Sequence, residues 1–224
     1  MPVFHDLHEA VAARRAAGTV HRFGTERVGA PIARSHQILG VGANYRSPGS
    51  NAPVAQEPLV FSTAPNSLSG PYDPVHLPRD STHTDWEVEL GVVIARSHYL
   101  ADDEEALAAI VGYVLVNVIS ELTFQKERGG QWLKGKSAPT FNPCGPWLVT
   151  PDDLGDTENP RPWLDHNGVR RQDGTTADML LNAAGIRPSA RNACVPLRTA
   201  LWELRLPAEA SGSIGTDKEI VSVS

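Results

Sequence analysis

The run Thr84-Asp85-Trp86-Glu87-Val88-Glu89-Leu90-Gly91-Val92-Val93-Ile94 constrains this chain more than any other segment. Polar and apolar residues alternate at its start, and β-branched residues fill its end. That pattern predicts a strand entering a core. Side chains two apart on a strand point to the same face, with Cα atoms about 6.5–7 Å apart. Glu87 and Glu89 held that way, next to buried sequence, suit a hard divalent cation with oxygen ligands. The plainer reading makes Asp85, Glu87 and Glu89 the solvent face of a half-buried strand, with Trp86, Val88 and Leu90 packed inward.

The chain has 224 residues, enough for one large domain or one and a half small ones. Its 41% apolar and 21% charged content is that of an ordinary soluble globular protein. The formal net charge of −6 and the lack of a Lys/Arg stripe argue against a nucleic-acid partner. No apolar run approaches the roughly 18 residues of a membrane-spanning helix. The N-terminus also lacks the basic-then-apolar layout of a signal peptide, so a cytoplasmic chain is expected. Cys144 and Cys194 read as free thiols, with one disulfide as the alternative. The 19 glycines and 18 prolines suit a turn-rich, β-containing fold.

Along the chain, residues 5–17 carry an amphipathic helix pattern. His5 and His8 lie three apart on it and read as a solvated face, since no third ligand is near. Strands are expected at Gln37–Gly42, Leu59–Thr63 and Gly112–Ser120, and a loop rich in Pro, Gly, Ser and Asn at residues 47–58. Asp102-Asp103-Glu104-Glu105 opens a helix expected to run to about Ile110. Residues 121–127 read as a helix broken by Gly129-Gly130. Asn167-Gly168 marks a hairpin after Trp163, and Met179 to Ala184 starts a helix. His76, His83 and His98 read as surface or packing residues. Trp86, Trp132 and Trp147 read as core. No nucleophile elbow and no phosphate-binding glycine loop occurs.

The order of these segments resembles the fumarylacetoacetate hydrolase family. The matching stretches are Val41-Gly42-Ala43-Asn44-Tyr45-Arg46, Leu68-Ser69-Gly70-Pro71, Asp85 to Leu90, Gly112-Tyr113 through Asn117, Gln125 through Lys136, and Gly145 to Thr150. Gln172-Asp173-Gly174 with Asp178-Met179 also fits. Each piece alone is weak, but the ordered set is specific. Glu127-Arg128-Gly129-Gly130-Gln131-Trp132 looks most like members acting on 2,4-diketo sugar acids or ureidoglycolate.

The resemblance implies a mainly β (α+β) fold, a mixed β-sandwich roll with short helices. Residues 1–36 read as a helix and connector, 37–185 as the catalytic domain that the resemblance covers, and 186–224 depart from it as a divergent tail that leaves the C-terminal part incomplete. It also implies a homodimer and a Mg2+ or Mn2+ site of two Glu and one Asp, acting on a small oxo acid. Glu87 and Glu89 fall on the metal carboxylates. Gln125 and Lys136 fall on catalytic or substrate-site positions, and Asn44, Tyr45 and Arg46 on substrate-binding ones. As an isolated residue, Lys136 reads as a surface lysine.

Departures from the family pattern gather in the site. The third metal ligand is replaced by Val118, which cannot ligate. Ser47-Pro48 stands for the Asp-His of the lid, Thr63 for a lysine, Leu122 for an arginine and Pro139 for an aspartate. Asp85, Glu121 or water are the nearest substitutes for the lost ligand.

The expected function is therefore divalent-metal-dependent C–C hydrolysis, lyase chemistry, decarboxylation or tautomerisation of a small 2-oxo or diketo acid, at reduced or altered activity. The alternatives are a non-catalytic binding or assembly protein on the same scaffold, or the product of a frameshifted gene. Trp202-Glu203-Leu204-Arg205-Leu206 motivates the last. Suitable codons for it, read two bases on, give Gly-Thr-Pro, part of a Thr-Gly-Thr-Pro motif that the resemblance implies near there.

Overall fold

A computed structural model of the chain describes residues 26–33, 35–45, 59–94, 103–155, 159–180, 200–205 and 221–223. The helix expected at 5–17, the loop at 47–58, Arg46, His98, Cys194 and most of the expected 179–184 helix lie outside the described residues.

Twelve strands appear among these residues. They are β1 (Gln37–Gly42), β2 (Leu59–Thr63), β3 (Leu68–Ser69), β4 (Thr84–Asp85), β5 (Val88–Ile94) and β6 (Ile110–Asn117). The rest are β7 (Ser120–Glu121), β8 (Asn142–Val149), β9 (Trp163–His166), β10 (Val169–Asp173), β11 (Ala200–Arg205) and β12 (Val221–Val223). The main sheet has the order β2-β1-β11-β5-β6-β8-β3. It is mixed: β1/β11 and β3/β8 run parallel, and the other neighbours antiparallel. A three-stranded sheet β10-β9-β12 and the pair β4-β7 complete the β structure. The described helices are short, as expected for a mainly β fold. None is long and apolar enough to cross a membrane.

β5 and β6 sit inside the main sheet, which explains their runs of valine, leucine and isoleucine. A strand covered on both faces needs apolar residues at nearly every position. Leu90, Val92 and Ile94 pack with Leu39, Val41 and Tyr113 on one face. Val93 packs with Ile38, Val114, Val116, Val118 and Cys144 on the other. Glu89 pairs with Val116 across the ladder, so it stands on the valine face.

The run from Thr84 to Ile94 is not one strand. β4 pairs with β7, β5 pairs with β6, and Trp86-Glu87 links them. Side chains make the break. The Trp86 amide donates to Asp85 Oδ1 at 3.0 Å, and the Val88 amide donates to Gln172 Oε1 at 2.8 Å. Two ladder donors thus go to side chains, and the run turns from one sheet to another. The solvent-face reading also fails. Glu87 and Glu89 are 2% and 1% exposed, and Asp85 and Trp86 are buried as well.

Two further expectations need correction. The helix opening at Asp102 ends at Leu107, because Ile110 already pairs with Ile94. Trp147 is 60% exposed rather than core. The 186–224 segment contributes β11, whose register runs from Gln37↔Ala200 to Val41↔Leu204 on one side. On the other side it runs from Ala200↔Ile94 to Arg205↔Glu89. Its backbone satisfies donors and acceptors that β1 and β5 would otherwise leave open inside the sheet.

Candidate carboxylate–lysine site

Glu87 ends the two-residue link, and its carbonyl accepts the Val118 amide at 2.7 Å. Pairing of β5 with β6 therefore continues one step past the strand, setting Val118 across from Glu87. The Glu87 side chain meets Lys136. Lys136 Nζ donates to Glu87 Oε2 at 3.0 Å and to Ser120 Oγ at 2.6 Å. Lys136 is 1% exposed, so the surface-lysine reading is excluded. A buried ion loses several kcal/mol of hydration. Here the opposite charge and a hydroxyl offset that loss together.

Lys136 is held from behind by tight packing. It ends the helix Leu133–Lys136, which lies against the helix Leu122–Lys126. A Cβ built on Gly135 would stand 2.5 Å from the Glu121 carbonyl oxygen and 2.8 Å from the Gln125 amide. Both are backbone atoms and cannot yield, so only glycine permits this approach. We predict that Gly135→Ala costs about 1–3 kcal/mol through forced backbone shifts, read as a lower urea midpoint with unchanged slope. An unchanged midpoint would contradict this packing. Gly129 and Gly130 form the turn between these helices, with φ of +82° and +67°. L-residues rarely adopt that conformation. The Phe61 ring covers the ammonium, its centroid 5.2 Å from Nζ, and Trp132 packs on Phe61 at 5.1 Å.

The other expected site residues divide. Gln125 is buried against Gly135, one residue from Lys136, and among the described residues its Oε1 accepts no hydrogen bond. Asn44 is buried, and its carbonyl accepts the Leu180 amide at 2.7 Å. Tyr45 lies near Glu89. Burial pushes its hydroxyl well above the usual range, and the charges of Glu89 and Asp178 add to this. Arg46 lies outside the described residues.

The donor set does not fit the divalent metal that the resemblance implies. Val118 is fully buried among Val116, Cys144 and Val93 and offers only hydrocarbon. Glu121 is not a substitute ligand. Its oxygens accept from the Ser81 and Thr84 hydroxyls and from the Thr82, His83 and Thr123 amides. Asp85 accepts the Trp86 amide. Glu87 already holds an ammonium. Among the described residues, no group of three or more His, Cys, Asp or Glu could hold a metal ion. Magnesium asks for near-octahedral oxygen coordination.

The sequence singles out neither Ser120 nor the Gln172 bridge as a site residue, and it offers Glu121 only as a substitute metal ligand. Gln172 was visible only within the matched Gln-Asp-Gly run. A serine two residues after Val118 carries no spacing signal of its own. A cavity of about 450 Å3 lies elsewhere, lined by Tyr72, Leu90, Tyr113, Trp147, Leu154 and Arg161 among others. Neither Glu87, Glu89 nor Lys136 lines it.

Comparison with known proteins agrees with the fold. The family model described as Fumarylacetoacetate (FAA) hydrolase C-terminal matches residues 37–186. A 2,4-didehydro-3-deoxy-L-rhamnonate hydrolase from Sphingomonas sp. is 46% identical over 181 residues. That alignment covers 79% of this chain and 64% of the relative, so the chain spans less than two thirds of its length. The 2-hydroxyhepta-2,4-diene-1,7-dioate isomerase structure from Mycobacterium marinum superposes with a TM-score of 0.76 at 29% identity. The match covers 88% of this chain and 73% of that one. A 5-carboxymethyl-2-hydroxymuconate delta-isomerase from Mycobacterium smegmatis gives 0.77 at 30% identity, covering 88% and 77%.

Proposed function

From this chain's membership of the fumarylacetoacetate hydrolase family, we propose that it is an enzyme acting on a small 2-oxo or 2,4-dioxo acid. The reaction is hydrolysis of a C–C bond next to a carbonyl, decarboxylation at a carboxylate β to the oxo group, or tautomerisation. All three pass through an enolate or a similar oxyanion. The single observation that carries the reading is the buried Lys136 ammonium, fixed by Glu87 and Ser120. An ammonium has three donors, and two are used in those bonds. The third can meet an oxo oxygen and stabilise charge as it develops there. A preorganised donor in a dry site is worth far more than one in water. Gln125, with its open Oε1, and Asn44 and Tyr45 are the substrate-orienting groups in this reading. The relatives' printed names, a sugar-acid hydrolase and two isomerases of unsaturated acids, support the substrate class.

The test is a panel of 2-oxo and 2,4-dioxo acids assayed with purified protein. We predict turnover of at least one, with kcat/KM lowered about 10²–10³-fold in Glu87→Gln, the range seen when a preorganised electrostatic group is lost. No turnover across the panel would count against the reading. One observation favours a second reading, a non-catalytic binding or assembly protein: Val118 stands where the family ligand is expected. Binding of an oxo acid without turnover would favour it. A homodimer belongs to both readings, and light scattering at the monomer mass would remove it.

A further inference from the structure

We infer that Lys136 takes the place of the divalent cation in this chain, so that a fixed ammonium holds the carboxylate site at the start of β5. This concerns the same site as the proposed activity, but it rests on geometry and not on turnover. Three features of the site combine. The ammonium is bonded to Glu87 and Ser120 with both side chains of the ion pair nearly sealed from water, at 2% and 3% exposure. Val118 occupies the step across from Glu87, where the backbone bond between them would set a third acid. Glu121, the carboxylate nearest to Val118 in sequence, is consumed by five donors.

A dication bound to Glu87 would sit beside a fixed like charge. In a site removed from water that repulsion is strong. A third acid would offset it, and Val118 cannot. The ammonium needs no such help, since one carboxylate and one hydroxyl already take two of its donors and the Phe61 ring lies beside it. A lysine with a fixed position also needs no octahedral shell. Losing the third acid and keeping the lysine are thus two parts of one arrangement.

The experiment uses the full chain stripped with chelator, titrated with Mn2+ by calorimetry and melted with and without the metal. For the natural sequence, about 1 mM Mn2+ should give no binding heat and shift the melting temperature by less than about 1 °C. In Val118→Asp, Mn2+ affinity should rise at least about tenfold, with a matching rise in melting temperature. Val118→Asn, which offers a neutral oxygen, serves if the aspartate prevents folding, and should show a smaller gain. Micromolar Mn2+ binding by the natural sequence, lost in Glu89→Ala, overturns the inference. Failure of both Val118 variants to gain affinity also overturns it, since Val118 would then not mark the missing ligand. Neither readout involves turnover. An inactive protein that ignores Mn2+ would sink the oxo-acid reading and leave this one standing.

Discussion

Replacing Lys136 by methionine should lower stability by about 3–5 kcal/mol, the usual consequence of removing one partner of a buried pair. Methionine fills nearly the same space, so the loss is electrostatic and not a cavity. Glu87 would be left 2% exposed and without the ammonium that now meets its carboxylate. It would have to stay charged without a cation or take up a proton, and both cost free energy. The control is a double-mutant cycle. Glu87→Gln in the Lys136→Met background should recover a large part of the loss, because the uncompensated charge is gone. Urea unfolding of the four proteins measures it. Strictly additive effects would mean that the 3.0 Å contact carries no coupling.

The second large effect belongs to Glu121. Burial pushes its carboxyl up, but hydrogen bonds from Ser81, Thr84, His83 and Thr123 outweigh this and hold it below the usual range. It joins three pieces of chain: the Ser81–Thr84 segment, β7, and the first turn of the helix Leu122–Lys126, whose N-cap it is. Glu121→Gln keeps one acceptor but turns an amide toward backbone donors that cannot reorient. We expect a loss of roughly 2–3 kcal/mol, in line with hydrogen bonds to a charged group. The pH dependence follows from the direction of the shift. A carboxyl with a depressed folded-state pKa contributes stability that is fully present above its unfolded value, about 4.3 for glutamate. That stability is lost as pH falls through the lower folded value. Stability measured from pH 6 down to pH 3 should therefore drop in the natural sequence, and less steeply in Glu121→Gln. Equal slopes would contradict the clamp.

Much of the framework could be read from local pattern. β1 and β2 appear where short apolar runs ended in glycine or polar residues, and the Asn167-Gly168 turn closes the hairpin of β9 and β10. These features depend on neighbours in sequence. What failed depends on neighbours in space. The break at Trp86-Glu87 comes from Gln172, 84 residues away, taking the Val88 amide. The burial of Lys136 comes from Glu87, 49 residues back, and from Gly135 against the Glu121 carbonyl. Trp147 is exposed because β8 lies near the edge of the main sheet, with only β3 beyond it. Within the candidate site, the glutamates and Lys136 were legible only through the order of motifs. Ser120 needed coordinates, since a serine that accepts from a lysine looks like any other in a strand.

Proton exchange at C3 of a 2-oxo acid in deuterated water, followed by NMR, tests the central claim most directly. Enolate formation is common to decarboxylation and tautomerisation, and enolate protonation to C–C hydrolysis, so one readout covers all three. The account predicts exchange catalysed by the natural sequence and lowered at least about 100-fold in Glu87→Gln, where the ammonium loses its fixed counter-charge. No exchange with any oxo acid, or exchange unchanged in Glu87→Gln, would contradict it.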